Sequence, residues 1–334
     1  MEKRYDALDG IRVIAMIGIL VMHVLANIPY KNELNGIFLY IKHLGSFTSL
    51  FMIVSAFSIS CGYYKKMQEN WNNIERFYLK RYSKILPFFT FITLIDIVLH
   101  FSQENIYEGF ANTTLVFGLI PHESITVIGV GWTLGVIFLF YLLYPFVIFL
   151  MQNKIRFYIS LIVTFIYAFI VNDYFGLGKV DFLFCACYFL GGCWLYLYKD
   201  LIQKKCNRIV LFVMLLILVY LYYYCAFNCE YALNYIRYIL FINIMMYAIV
   251  ASDKKTILST KVMKFLSSIS LEIYLCHMVI YRIVEKANLL RVTKNLLFSY
   301  IFACILTFIG SIMFAIMFKK IYEIIRMRIK KRKK

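Results

Sequence analysis

Asp9-Gly-Ile-Arg12-Val-Ile-Ala-Met-Ile-Gly-Ile-Leu-Val-Met-His23-Val24 is an apolar stretch with two ionisable side chains, Arg12 and His23, inside it. They stand eleven residues apart. At about 100° per residue, eleven steps return to within roughly 20° of the start, so a helix puts both on one face. At about 1.5 Å per residue they lie roughly 16 Å apart along the axis. Ionisable groups within a lipid span are costly and face a cavity or a partner. The pattern therefore predicts a membrane helix with a polar path along one face, Arg12 near one surface and His23 past the midplane. The plainer alternative gives Arg12 a snorkelling role at the interface and His23 a single helix–helix hydrogen bond.

The rest of the chain has the composition of a membrane protein. Its 334 residues are 62% hydrophobic and only 16% charged, with a mean hydropathy of +0.74. These values exclude an ordinary soluble domain and predict an all-α, polytopic membrane helix bundle. Ten apolar segments of roughly spanning length are expected, near 11–29, 37–62, 85–101, 131–151, 156–172, 181–198, 208–227, 234–251, 266–284 and 296–319. The shorter piece Thr114 to Ile120, ended by Pro121, reads as re-entrant or as an external loop. Asp96 falls about twelve residues into the third segment, roughly 18 Å deep, where a carboxylate is a functional candidate.

The net charge of +18 would suggest nucleic acid in a soluble chain. Here the loops explain it, and no nucleic-acid partner is expected. With ten spans, 28 of the 36 Lys and Arg fall on the side of the two termini and 8 on the other. The positive-inside rule then places both termini in the cytoplasm. The expected organisation is one transmembrane domain over 1–320 and a basic cytoplasmic tail over 321–334 that attracts anionic lipids. The first segment carries no convincing cleavage site and is read as a mature span. About fifteen residues follow the last segment, so no appended domain is expected. Nine scattered Cys read as core residues, with Cys225 and Cys229 near enough to oxidise, and no metal-binding pattern is present.

Four ordered motifs share a resemblance. Leu8-Asp9-Gly10 with Arg12 and His23 comes first. Phe77-Tyr-Leu-Lys80-Arg81-Tyr-Ser-Lys84-Ile-Leu-Pro87 follows. Trp132-Thr-Leu with Phe140-Tyr-Leu and Pro145 is the third, and Ser270-Leu-Glu272-Ile-Tyr274-Leu-Cys-His277 the fourth. Together they resemble the acyltransferase-3 family of integral membrane acyltransferases. The resemblance implies an O-acyltransferase, usually an O-acetyltransferase. It implies cytoplasmic acetyl-CoA, or another acyl-CoA, as donor, and as acceptor a sugar of a cell-surface polysaccharide or its lipid-linked precursor. A bacterial inner or plasma membrane is the implied location.

The resemblance also distributes roles. Arg81 matches the first Arg of the family's Arg-x-x-Arg-Ile-x-Pro donor motif, and Lys84 replaces the second. At i and i+3 they share a helix face, suited to the phosphates of coenzyme A, with Lys80 beside them. Lys84 holds a phosphate as a point charge, without the guanidinium fork. Attack by a sugar hydroxyl on an acyl carbonyl needs a base, and His23 in its neutral form is the candidate. Arg12 is assigned to donor phosphate or to charge along the path, and Tyr274 and His277 to the oxyanion or the acceptor. Trp132 and Ser270 are assigned to substrate, and Asp96, which the resemblance does not demand, joins them as a carboxylate deep in a span. Ser55-Ala56-Phe57 stands where the family usually has Ser-Gly-Phe, and reads as small residues at a helix contact. Ile137 stands where many members carry Glu. Glu272 falls about 140° from His277 and is expected to meet another helix. The competing class is an exporter of saccharide or lipid-linked saccharide, whose charges would line a substrate path and which needs no donor motif.

Overall fold

The computed structural model describes residues 4–70, 72–120, 127–252 and 255–332, the side chains of 230 and 329–332 excepted. Pro121 and the terminal Lys333 and Lys334 lie outside that description. The described residues form helices joined by turns, with no strand. In order they are α1 (Ala7–Asn27), α2 (Asn35–Ile41), α3 (Phe47–Glu69), α4 (Asn72–Leu99), α5 (Gln103–Thr114), α6 (Trp132–Met151), α7 (Lys154–Phe169) and α8 (Asn172–Phe175). Then come α9 (Phe182–Leu197), α10 (Lys199–Lys205), α11 (Arg208–Asn228), α12 (Glu230–Ala251), α13 (Lys261–Ser268), α14 (Ser270–Lys286) and α15 (Leu296–Arg332).

Seven of the described helical stretches are long and apolar enough to cross a membrane, or nine if each of two bent pairs counts as one span. The stretch expected at 181–198 is α9, with a 64° turn into α10 at its end, whereas the one expected at 266–284 is broken by a 67° bend between α13 and α14. The second break has a local cause. Ser267, Ser268 and Ser270 surround it, and short hydroxyl side chains offer the backbone partners other than the helix ladder. Ser270 Oγ donates to the Ser267 carbonyl at 2.9 Å and Ser268 Oγ to the Phe265 carbonyl at 2.7 Å. The segment expected at 156–172 is α7, whose 16 residues fall short of the roughly 20 of a straight crossing. The stretch before Pro121 continues α5 through Leu115, in the left-handed region at φ 59°, into a short turn over Phe117–Leu119. Leu115 and Phe117 are buried there. The boundary expected at 320 is not marked in the backbone, because α15 runs unbroken to Arg332.

The first helix sits at the centre. It touches α3, α12, α13, α14, α15 and the turn Ile257–Ser259. Ile11, Ala15 and Ile19 join one core, shared with α3, α4, α6, α9 and α12. Val13, Met16, Leu20 and Val24 join a second, shared with α14 and α15. The face between them is left for Arg12 and His23. Gly10 allows this central seat, since a Cβ there would lie 2.6 Å from the Leu258 Cα. Ala56 of α3 meets Gly192 of α9, where a Cβ would lie 2.3 Å from the Ile53 carbonyl oxygen. The small-residue reading of Ser55-Ala56-Phe57 therefore holds at Ala56. All nine cysteines are free, Cys225 and Cys229 among them.

Candidate active site

Two cavities open along α1, one at the level of Arg12 and one at the level of His23. The first has a volume of about 210 Å³ and is lined by Arg12, Arg81 and Lys84 among its charged side chains, with no carboxylate in its wall. Asp9, one turn before Arg12, holds it at 3.3 Å and also receives Arg4 at 2.9 Å and Ser267 Oγ at 2.7 Å. The second Arg12 nitrogen donates to Ser58 of α3. The guanidinium is thus fixed from α1, α3 and the α13–α14 break at once. Asp9 and Arg12 stand at i and i+3, a spacing that puts the pair on one helix face.

Arg81 is held differently. Its guanidinium carbon lies 5.4 Å from the ring centres of Tyr63, Phe77 and Tyr141, one ring each from α3, α4 and α6. Cation–π attraction of this kind reaches about 2 kcal/mol when desolvated. It locates the side chain while leaving its N–H groups uncommitted, and Nε has no partner among the described residues. Tyr141 is in turn fixed by Ser55, at 2.7 Å between the hydroxyls. Lys84 has no ion-pair partner among the described residues and lines the same cavity. Pro87, inside α4, has no N–H for the Ser83 carbonyl one turn back, which loosens the helix beside Lys84. Lys80 is exposed and is not part of the wall. It lies one residue before Arg81, about 100° round the helix.

Ser270 and Tyr274 also line this cavity, and Thr133 does so in place of its neighbour Trp132. Ile137 lies in the wall, which is apolar at that position. Glu272 turns away, as its helical angle required. It is buried and pairs with Lys319 of α15 at 3.1 Å, a contact no local pattern announces.

The second cavity, about 240 Å³, is lined by His23, Asn27, Asp96 and Arg282, with Val130, Met278 and Val279 among its apolar residues. Asp96 of α4 is buried and takes Arg282 of α14 at 3.0 Å and His100 at 3.6 Å on the same oxygen. Asp96 therefore lies in the His23 cavity and not with the donor motif.

Between the cavities stand Tyr274 and His277. The Tyr274 hydroxyl donates to the Val130 carbonyl at 2.9 Å and lies 3.1 Å from Thr133 Oγ1, tying the wall of the first cavity to that of the second. Val130 follows Ile128, a β-branched residue held at φ 95°, strain that persists only where surrounding contacts enforce it. His277 is 1% exposed and its Nδ1 lies 2.6 Å from the Tyr274 carbonyl oxygen. A carbonyl can only accept, so Nδ1 carries the proton and Nε2 the lone pair. That Nε2 is buried with no partner among the described residues. The His23 ring lies 5.3 Å away, centre to centre. Where a single polar channel was expected, two cavities lie along α1, and His23, with His277 behind it, borders the second. Among the described residues no group of His, Cys, Asp and Glu is arranged to hold a metal ion.

A bundle of long apolar helices with charged side chains lining polar chambers defines a multi-pass membrane protein. The sequence model of the acyltransferase-3 family, described as an acyltransferase domain, matches residues 5–316. The chain belongs to that family and is a membrane acyltransferase. No curated protein and no solved structure gives a significant match.

Proposed function

We propose that the protein is a membrane O-acyltransferase that moves an acyl group, most simply acetyl, from acyl-CoA to a sugar hydroxyl of an envelope polysaccharide or its lipid-linked precursor. The observation that carries this reading is the pair of cavities of opposite character along α1, with His23 in the wall of the second. The Arg12 chamber offers three cations to the pyrophosphate and 3′-phosphate of coenzyme A, and the donor's long flexible arm runs from there towards His23. Tyr274 must release Val130 to let the thioester pass. On this reading the N-terminus is cytoplasmic, as the Lys and Arg distribution suggests, and the Arg12 chamber faces the cytoplasmic acyl-CoA pool.

In the transfer, the acceptor oxygen bonds to the acyl carbon while His23 takes the hydroxyl proton. His277 Nε2, without a partner among the described residues, is the acceptor that the neighbouring His23 ring reaches by rotating, which fixes which His23 nitrogen is basic in the reaction. The Tyr274 hydroxyl, freed from Val130, donates to the oxyanion. As the intermediate collapses, the carbon–sulfur bond breaks and the thiolate takes the proton from His23. The products are the ester and free coenzyme A.

The test is acyl-CoA-dependent ester formation by the purified chain in proteoliposomes, with surface-glycan ester analysis in cells with and without the protein. Saccharide crossing the membrane without ester formation would favour the exporter instead.

A further inference from the structure

Asp96 and Arg282 lie outside the four sequence motifs, yet they form the charged wall of the chamber that contains His23. Arg282 commits Nη1 to Asp96 Oδ1, which also receives His100. Asp96 Oδ2 has no partner among the described residues, although the residue is only 5% exposed. Arg282 has further N–H groups on its fork and is bound to no other residue among those described. The chamber thus holds an acceptor-only carboxylate oxygen beside a donor-only guanidinium, with Asn27 and His23 in the same wall. The one cation and one carboxylate cancel, so the chamber has little net attraction for a phosphate. Its remaining surface, Leu275, Met278 and Val279 among it, is apolar.

A neutral ligand that both donates and accepts hydrogen bonds at neighbouring positions, on an otherwise apolar ring face, matches that wall. We infer that the Asp96–Arg282 pair is the acceptor-recognition element, binding two adjacent free hydroxyls of a neutral sugar ring so that a third reaches His23. One hydroxyl donates to Asp96 Oδ2 and its neighbour accepts from Arg282. The inference rests on the acyltransferase reading of the same site and adds the sugar's hydroxyl pattern.

The experiment uses the full chain in proteoliposomes, acetyl-CoA, and a panel of methyl hexosides with their monodeoxy analogues. For the wild type, removing either recognised hydroxyl should lower kcat/KM for the sugar by about ten- to hundredfold, the range for hydrogen bonds to charged groups. Asp96→Asn should lower the rate with the parent sugar and lose discrimination against one deoxy analogue. Arg282→Lys, which can keep the ion pair and hence the α4–α14 contact, should lose discrimination against the other. KM for acetyl-CoA should stay within about twofold in both.

Wild-type discrimination that persists unchanged in both variants, with the rate lowered equally for every sugar, would make the pair a structural tie and overturn the inference. Equal use of all deoxy analogues by the wild type would overturn it too. A wild type that acylates no sugar while consuming acetyl-CoA would instead overturn the proposed acceptor class, and the inference with it.

Discussion

The two chambers differ most in charge. The wall at Arg12 has three cations and no carboxylate, whereas the wall at His23 balances Arg282 against Asp96. Each cation of the first is held without being neutralised in the wall. Arg12 is gripped by a carboxylate from behind, Arg81 by three aromatic rings, and Lys84 by no ionic partner among the described residues. Three like charges gathered around one cavity repel one another, and a polyanionic ligand offsets that repulsion. In the second chamber the charges are already satisfied, and what remains is hydrogen-bonding capacity. One chamber is built to hold a charge and the other to read hydroxyls.

The largest effect should come from the second chamber's histidine. His23→Ala should lower the rate of ester formation by about 10²- to 10⁴-fold, the usual loss of a general base, with KM for acyl-CoA little changed. Steady-state transfer with donor titrated checks this, and a near-normal rate in an inserted, monodisperse variant would remove His23 from the chemistry.

Next in size are the donor-side cations. Arg81→Ala and Lys84→Ala should each raise KM for acyl-CoA by roughly ten- to hundredfold, the equivalent of a lost charge-assisted contact of about 1.5–3 kcal/mol, with a smaller change in kcat. Lys84→Arg should be tolerated or tighten the donor, since it supplies the forked contact. An unchanged donor KM in both alanine variants would leave the basic helix end a topology signal only.

A smaller effect should sharpen the partition between the chambers. Tyr274→Phe removes the bond to Val130 and the contact with Thr133, each worth about 1 kcal/mol. It should lower transfer while raising the ratio of hydrolysis to transfer by several-fold, measured as free thiol released against ester formed. An unchanged ratio would mean that Tyr274 does not separate the two spaces.

Much of this arrangement was legible from helical arithmetic. Eleven residues from Arg12 to His23, three from Arg81 to Lys84, and four then three through Ser270, Tyr274 and His277 each fix a shared face, and those faces meet the chambers. The rest depended on neighbours that periodicity does not encode. Asp96 was visible as a buried carboxylate, but not its Arg282 partner 186 residues away. Lys80 stood with Arg81 and Lys84 among the expected donor residues, and the structure leaves it exposed outside the wall while Tyr63, Phe77 and Tyr141 pack around Arg81. The straight helix expected at 266–284 bends because serine side chains and Asp9 of another helix take up the polar groups at the break. Where one channel was expected, the Tyr274 tie to Val130 joins the walls of two cavities.

The most direct test of the central claim is equilibrium binding of coenzyme A, with no acceptor present, to the wild type, Lys84→Ala and His23→Ala by calorimetry in lipid nanodiscs. The account predicts that Lys84→Ala weakens binding by at least about tenfold and steepens no salt dependence, while His23→Ala binds as the wild type does. Equal affinity in all three, or weakening confined to His23→Ala, would contradict a division of labour between the two chambers.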